Sequence, residues 1–174
     1  MSALRIFGLI MLLAATGCAH QREPGGLAMP APDEARAAGL LGGYLLAQGW
    51  TVRLAEPAAV DASRSGEFIR LEPLLDPAGL DRVVVSRTWP RAPGAGDEEL
   101  QAFALELSEL LNVGQFRAEP AGLVLQASLP FLENLDPGLL DAFIAFTAEV
   151  RLAVSQVQGE RQLLAPVEDG QGSR

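Results

Sequence analysis

From Asp33 onward the apolar positions fall into two periods, one helical and one alternating. Leu40, Leu41, Tyr44 and Leu45 gather on one side of a helix over 34–48, with Asp33 as cap and Gly49 as stop. Gly42 and Gly43 weaken that helix by about 1 kcal/mol each, and they allow it to pack closely on a sheet. Thr51 to Glu56 alternates, with Val52 and Leu54 on one face. Residues 57–66, rich in Pro, Asp, Ser and Gly, read as a loop. Glu67 to Leu75 reads as a second strand with Ile69 and Leu71 inward. Arg82 to Trp89, carrying Val83, Val84 and Val85, reads as a third, ended by Pro90 to Gly96.

Asp97 then caps the clearest helix, 98–112. Leu100, Phe103, Ala104, Leu107 and Leu111 make one apolar stripe, and Glu98 and Glu99 suit its amino end electrostatically. After Gly114, Gln115–Glu119 and Leu123–Leu129 form a hairpin over Pro120-Ala121-Gly122. The second arm sets Leu123, Leu125, Ala127 and Leu129 against Val124, Gln126 and Ser128, so one face is buried and the other largely wet. Asp136-Pro137 starts a last helix, 137–158, with Leu139, Phe143, Phe146, Val150, Val154 and Val157 inward. The resulting order, α-β-β-β-α-β-β-α, predicts an α+β two-layer sandwich: an antiparallel sheet of about five strands with helices on one face.

The first 17 residues follow neither period. Arg5 is followed by 11 uncharged residues, Ile6 to Thr16. A membrane-spanning helix needs about 20 apolar residues, so the run fits a signal-peptide core instead. Ala15-Thr16-Gly17-Cys18 resembles a bacterial lipobox, with Ala where Leu is commoner. That resemblance implies cleavage between Gly17 and Cys18 and acylation of Cys18. The alternatives are an ordinary secretory signal beside a chance Cys, or a short buried segment. The chain has one Cys, and it falls where a lipobox places it, which favours lipidation. Ala19, not Asp, follows it, and by resemblance to lipoprotein sorting this favours the outer membrane over the inner, with the domain in the periplasm. Several acyl chains on one residue make a stable anchor without a spanning helix.

This divides the chain into a signal peptide (1–17), a lipidated Cys with a flexible tether (18–32), one α+β domain (33–159) and a flexible tail (160–174). The tether is rich in Pro and Gly and holds the single His, His20. The tail carries Leu163 and Leu164, which can dock back on the domain. Charge sharpens the picture. The 174 residues carry 13 basic against 22 acidic groups, a net −9, and every basic residue is Arg. Cleavage removes Arg5 alone among the charges, leaving −10. That balance opposes nucleic-acid binding, which depends on neutralising phosphates, and electrostatic docking on anionic lipid. Absent Lys excludes Schiff-base chemistry and a Lys-dependent phosphate loop.

Candidate chemistry is sparse. A single Cys makes no internal disulfide, and one Cys with one His builds no zinc site. A nucleophile–His site needs a His in the domain, and the only one lies in the tether. Asp76 with Asp81, or Glu106 with Glu109, could form a carboxylate pair, but surface acids are the ordinary reading. Asp61 to Gly66 has the polar look of a metal or phosphate loop, yet it lacks the remaining calcium ligands and a glycine-rich cradle. No catalytic residue, metal or cofactor is expected. Trp50 and Trp89 near strand ends mark either a binding groove or the edge of the core. Arg53, Arg70, Arg82 and Arg87 either receive an acidic partner on the open sheet face or keep that face wet. Trp50, Trp89, Arg53 and Arg87 are the candidate binding surface.

The element order over roughly 36–157 resembles the type III secretion chaperone-like fold and the YbjN-like families within it. Three stretches carry the likeness: Tyr44 to Trp50, Asn112 to Phe116, and Gly122 to Pro130 before the Asp-Pro helix. The resemblance implies protein binding rather than catalysis, and homodimers among its assemblies. The family's cytosolic setting departs from the export signal here. The sequence therefore predicts a lipid-anchored, non-enzymatic interaction or accessory module of the cell envelope, serving a secretion or assembly machine with a protein partner. A small-ligand or peptide-binding lipoprotein is the alternative.

Overall fold

A computed structural model describes residues 33–77, 80–132 and 134–165. Gly17, Cys18, His20 and the rest of the signal and tether lie outside them. Among the described residues, three helices pack on one face of a six-stranded antiparallel sheet ordered β1-β2-β3-β4-β6-β5. The strands are β1 (Thr51–Ala55), β2 (Ala59–Arg64), β3 (Glu67–Leu74), β4 (Asp81–Pro90), β5 (Gln115–Glu119) and β6 (Gly122–Phe131); the helices are α1 (Glu34–Ala47), α2 (Asp97–Leu110) and α3 (Pro137–Gln158). The α+β sandwich expected from the pattern is the observed architecture.

The added strand is β2, which lies inside the segment read as a loop. Its Val60 and Ala62 face the helices and Asp61 faces the other way. The alternation is present, but small and turn-forming residues disguise it. The two-residue turn to β3, Ser65-Gly66, has positive φ at both positions (52° and 80°), the geometry of a tight hairpin turn. The segment weighed as a metal or phosphate loop is therefore mostly a paired strand.

In α1, the Asp33 carboxylate accepts from the Arg36 amide at 2.7 Å. A Cβ on Gly42 would lie 3.2 Å from Leu54 Cδ2 and 3.3 Å from Val52 Cγ1, so this glycine lets α1 sit close on β1. Gly43 faces open space and has no such part. In α2 the cap lies one residue earlier than the sequence indicates. Gly96 is the N-cap, its amide donates to Glu99 Oε2 at 3.4 Å, and Asp97 pairs with Arg91 instead. Leu100, Phe103, Ala104 and Leu107 are buried as the stripe requires.

In α3, Asp136 caps as expected, accepting from the Gly138 amide at 2.7 Å. The buried stripe is Leu140, Ile144, Thr147, Val150 and Val154. The first half is thus turned one residue from expectation: Leu139 and Phe146 are exposed, and Phe143 is half-buried. The adjacent pairs Leu139/Leu140 and Phe143/Ile144 are both apolar, so periodicity alone does not choose between them.

The core has two halves. Leu41, Leu45, Trp50, Ile69, Leu71, Val83, Val85, Leu140 and Ile144 belong to one. Trp89, Leu100, Phe103, Leu107, Phe116, Leu123, Val150 and Val154 belong to the other. Arg87 on β4 and Thr147 on α3 lie between them in sequence, and both are buried. Leu163 and Leu164 close the second half. The Ala92 amide donates to Leu163 O at 2.9 Å and the Ala165 amide to Pro90 O at 2.8 Å. Residues 160–165 therefore form a docked strap, beyond the expected boundary at 159; residues 166–174 are outside the described part.

Candidate functional site

β4 alternates so that Val83, Val85, Arg87 and Trp89 all point at the helix layer. Three of these are apolar; the fourth is a cation with 7% of its surface exposed. Arg87 Nε donates to Thr147 Oγ1 at 2.9 Å, and Nη2 donates to the Ile144 carbonyl, also at 2.9 Å. Thr147 in turn donates to the same carbonyl at 2.8 Å. Nη1 is directed at Glu67 Oε2, 3.8 Å away. Burial pulls the Arg87 guanidinium below its usual range, and Glu67 partly restores it. Arg87 thus ties the middle of α3 to the sheet through neutral acceptors, with a carboxylate just beyond bonding distance.

Glu67 opens β3 directly after the tight turn, which places it at the mouth of a cleft of about 480 Å³. Phe68, Arg87, Trp89, Glu149, Arg151 and Leu152 form its other principal walls. A second hollow of about 470 Å³ shares Glu67, Ala148 and Glu149 with it and reaches Trp50. A third of about 610 Å³ shares Trp89 and Arg151 and reaches the strap at Leu164. Together they line one flank of α3. Its other flank carries Leu139 and Phe146, 49% and 44% exposed, with Phe143 and Phe146 stacked at 6.4 Å.

The four candidate surface residues do not meet. Trp50 belongs to the first core half, with the Arg64 guanidinium 4.4 Å above its ring. Trp89 belongs to the second, stacked on Phe116 at 6.3 Å, and its edge reaches the cleft. Arg53 lies on the open sheet face, while Arg87 lies beneath the helices. The expected grouping of the strand arginines on one face fails for Arg87. Its odd parity, shared with Val83 and Val85, was the signal that separates it. On the open face Arg53 bonds Asp61 at 2.6 Å, and Arg70 bonds Glu72 at 2.8 Å and lies 3.4 Å from Asp61. A continuous row crosses that face, Arg53-Asp61-Arg70-Ser86-Gln126-Gln115, each directly opposite the next. Such pairing keeps an uncovered face wet and joins the edge strand β1 to its neighbours.

The carboxylate pairs weighed from sequence resolve into structural roles. Asp81 accepts from the Asp76 amide at 2.8 Å and closes that loop. Glu106 pairs with Arg161 of the strap, which holds its carboxyl below the usual range and raises the guanidinium. Among the described residues, no group of three or more His, Cys, Asp or Glu is placed to hold a metal ion. Glu67, Phe68, Thr147 and Leu152 were not singled out by sequence; their only signal is the turn and helix positions that bring them to Arg87. Comparison with protein-family models, with curated proteins and with solved structures gives no match.

Proposed function

We propose that this chain is a lipid-anchored, non-enzymatic interaction or accessory module of the bacterial envelope, held through an acylated Cys18 with its domain in the periplasm. The observation that carries the reading is the outward flank of α3. Leu139 and Phe146 lie in water beside a half-buried Phe143, on the flank of α3 that faces away from the cleft and its exposed Leu152. Aromatic side chains on a rigid helix are the usual anchors of a protein interface. No helix among the described residues is long and apolar enough to cross a membrane, and a net charge of −9 does not favour an anionic bilayer. Attachment on this reading comes from lipid at Cys18, and the likeness to secretion chaperone-like and YbjN-like proteins supports a partner-binding task in a secretion or assembly machine.

Affinity purification from gently solubilised envelopes recovers a stoichiometric partner, or a second copy of the chain, with the natural protein and loses it with Phe146→Glu. Recovery of the protein alone in both cases would sink the reading. Cys18→Ser abolishes fatty-acid labelling and signal processing; retained labelling removes the anchor. One observation favours a second reading, a ligand- or peptide-binding lipoprotein: the cleft beside the buried Arg87.

A further inference from the structure

Arg87 is an expensive residue for its position. An apolar side chain there would join the two core halves, whereas a buried cation is tolerated only when paired and hydrogen-bonded. Its two short hydrogen bonds go to neutral oxygens, Thr147 Oγ1 and the Ile144 carbonyl. Glu67 makes an ion pair with Nη1 at 3.8 Å, beyond hydrogen-bonding distance, and its side chain is 42% exposed. The tie to α3 uses the Nε and Nη2 sides of the guanidinium. The remaining edge, at Nη1, faces the cleft of about 480 Å³ that Arg87 lines.

The walls of that cleft define what fits. Leu152 on α3 is 65% exposed and Trp89 of the second core half lines the same cleft, while Phe68, 50% exposed, reaches only its rim because it shares the open sheet face with Ser63 and Arg70. Solvated apolar side chains around a buried guanidinium call for a ligand with one anionic group and an apolar body. The fork of an arginine matches a carboxylate. Glu67 and Glu149 on the same walls offset Arg87 and Arg151, so the cleft is near neutral and a doubly charged phosphate meets repulsion. We propose that this cleft binds an apolar monocarboxylate, its carboxylate on Arg87 and its body against Trp89 and Leu152. The assignment rests on the ligand-binding reading and names its chemistry. A free organic acid and the C-terminus of an apolar peptide share that chemistry.

The test is tryptophan fluorescence of the full chain in phosphatidylcholine nanodiscs, titrated with octanoate, octanol, octylammonium, and N-acetyl-leucyl-leucine as acid and as amide. Octanoate or the dipeptide acid saturates, and the tighter of the two names the source. Leu152→Glu, at an exposed position away from the Arg87 hydrogen bonds, puts a like charge at the mouth. It weakens binding roughly tenfold or more, the scale of a lost charge-assisted contact, with an unchanged thermal midpoint. Arg87→Lys weakens it as well and reports folding by the same midpoint. Octanol, octylammonium or the amide binding as well as the acids overturns the carboxylate assignment while leaving ligand binding intact. Binding unaltered by Leu152→Glu overturns this cleft as the site. If no probe saturates, the assignment and the ligand-binding reading both fall.

Discussion

Arg87 shows how one residue can be misplaced by its type and correctly placed by its parity. A charged side chain on a half-covered sheet is ordinarily assigned to water, and Arg53 and Arg70 obey that rule. Arg87 follows Val83 and Val85 at even spacing, so it must point where they point. What the spacing does not contain is the partner: Thr147 is sixty residues away, and only the packing of α3 across β4 brings its hydroxyl to Arg87. Thr147→Val keeps the shape and removes the acceptor. The buried Nε–H then has no oxygen to meet, and the expected loss is about 1–3 kcal/mol of folding stability. Chemical denaturation checks it, with an unchanged urea slope showing that the native state keeps its compactness. Thr147→Ser, which retains the hydroxyl, should recover most of the difference.

At the scale of elements, what was legible depended on how strongly each segment's pattern excluded alternatives. α2 has one continuous apolar stripe, and its buried residues are those the spacing indicates, with Leu105 and Leu110 left exposed off it. α3 is apolar around most of its circumference in its first half, so two neighbouring stripes compete. Tertiary packing buries Leu140 and Ile144 and leaves Leu139 and Phe146 outside. β2 was hidden for the opposite reason: Ala59 and Ala62 are too small to announce a strand, though Ala62 with Val60 suffices beneath a closely packed α1. The β5–β6 turn was legible from Pro120 and Gly122, but the reason for the glycine is tertiary. Gly122 has φ +146°, and a Cβ there would stand 2.0 Å from the Trp89 carbonyl oxygen on β4. Gly122→Ala combines backbone strain with displacement of a central strand pair. It should cost roughly 2–5 kcal/mol, read as a lowered thermal midpoint and as amide shift changes centred on Trp89 and Pro90.

For the whole molecule, the question is what holds the strap over the second core half. Two kinds of contact are available. Leu163 and Leu164 are buried with Trp89, Phe103 and Val154, while Arg161 pairs with Glu106 on α2 and lies 5.6 Å from the Phe103 ring. The ion pair is at the surface, where screening and side-chain entropy leave such pairs little net worth. Its signature is in titration. Arg161 holds the Glu106 carboxyl below its usual range, so its stabilisation is present above the unfolded glutamate value and is lost as pH falls through the lowered folded one. Arg161→Ala should return the Glu106 carboxyl, followed by carbon NMR, toward the ordinary glutamate range, with almost no change in thermal midpoint near neutral pH. Leu163→Ala should do the reverse. It leaves Glu106 titrating below its usual range if the strap stays docked, and costs about 2–4 kcal/mol through the cavity it opens. A Leu163→Ala protein as stable as the natural one would mean that the strap rests on the core without closing it, and that the second half is already complete with α2, α3 and Trp89.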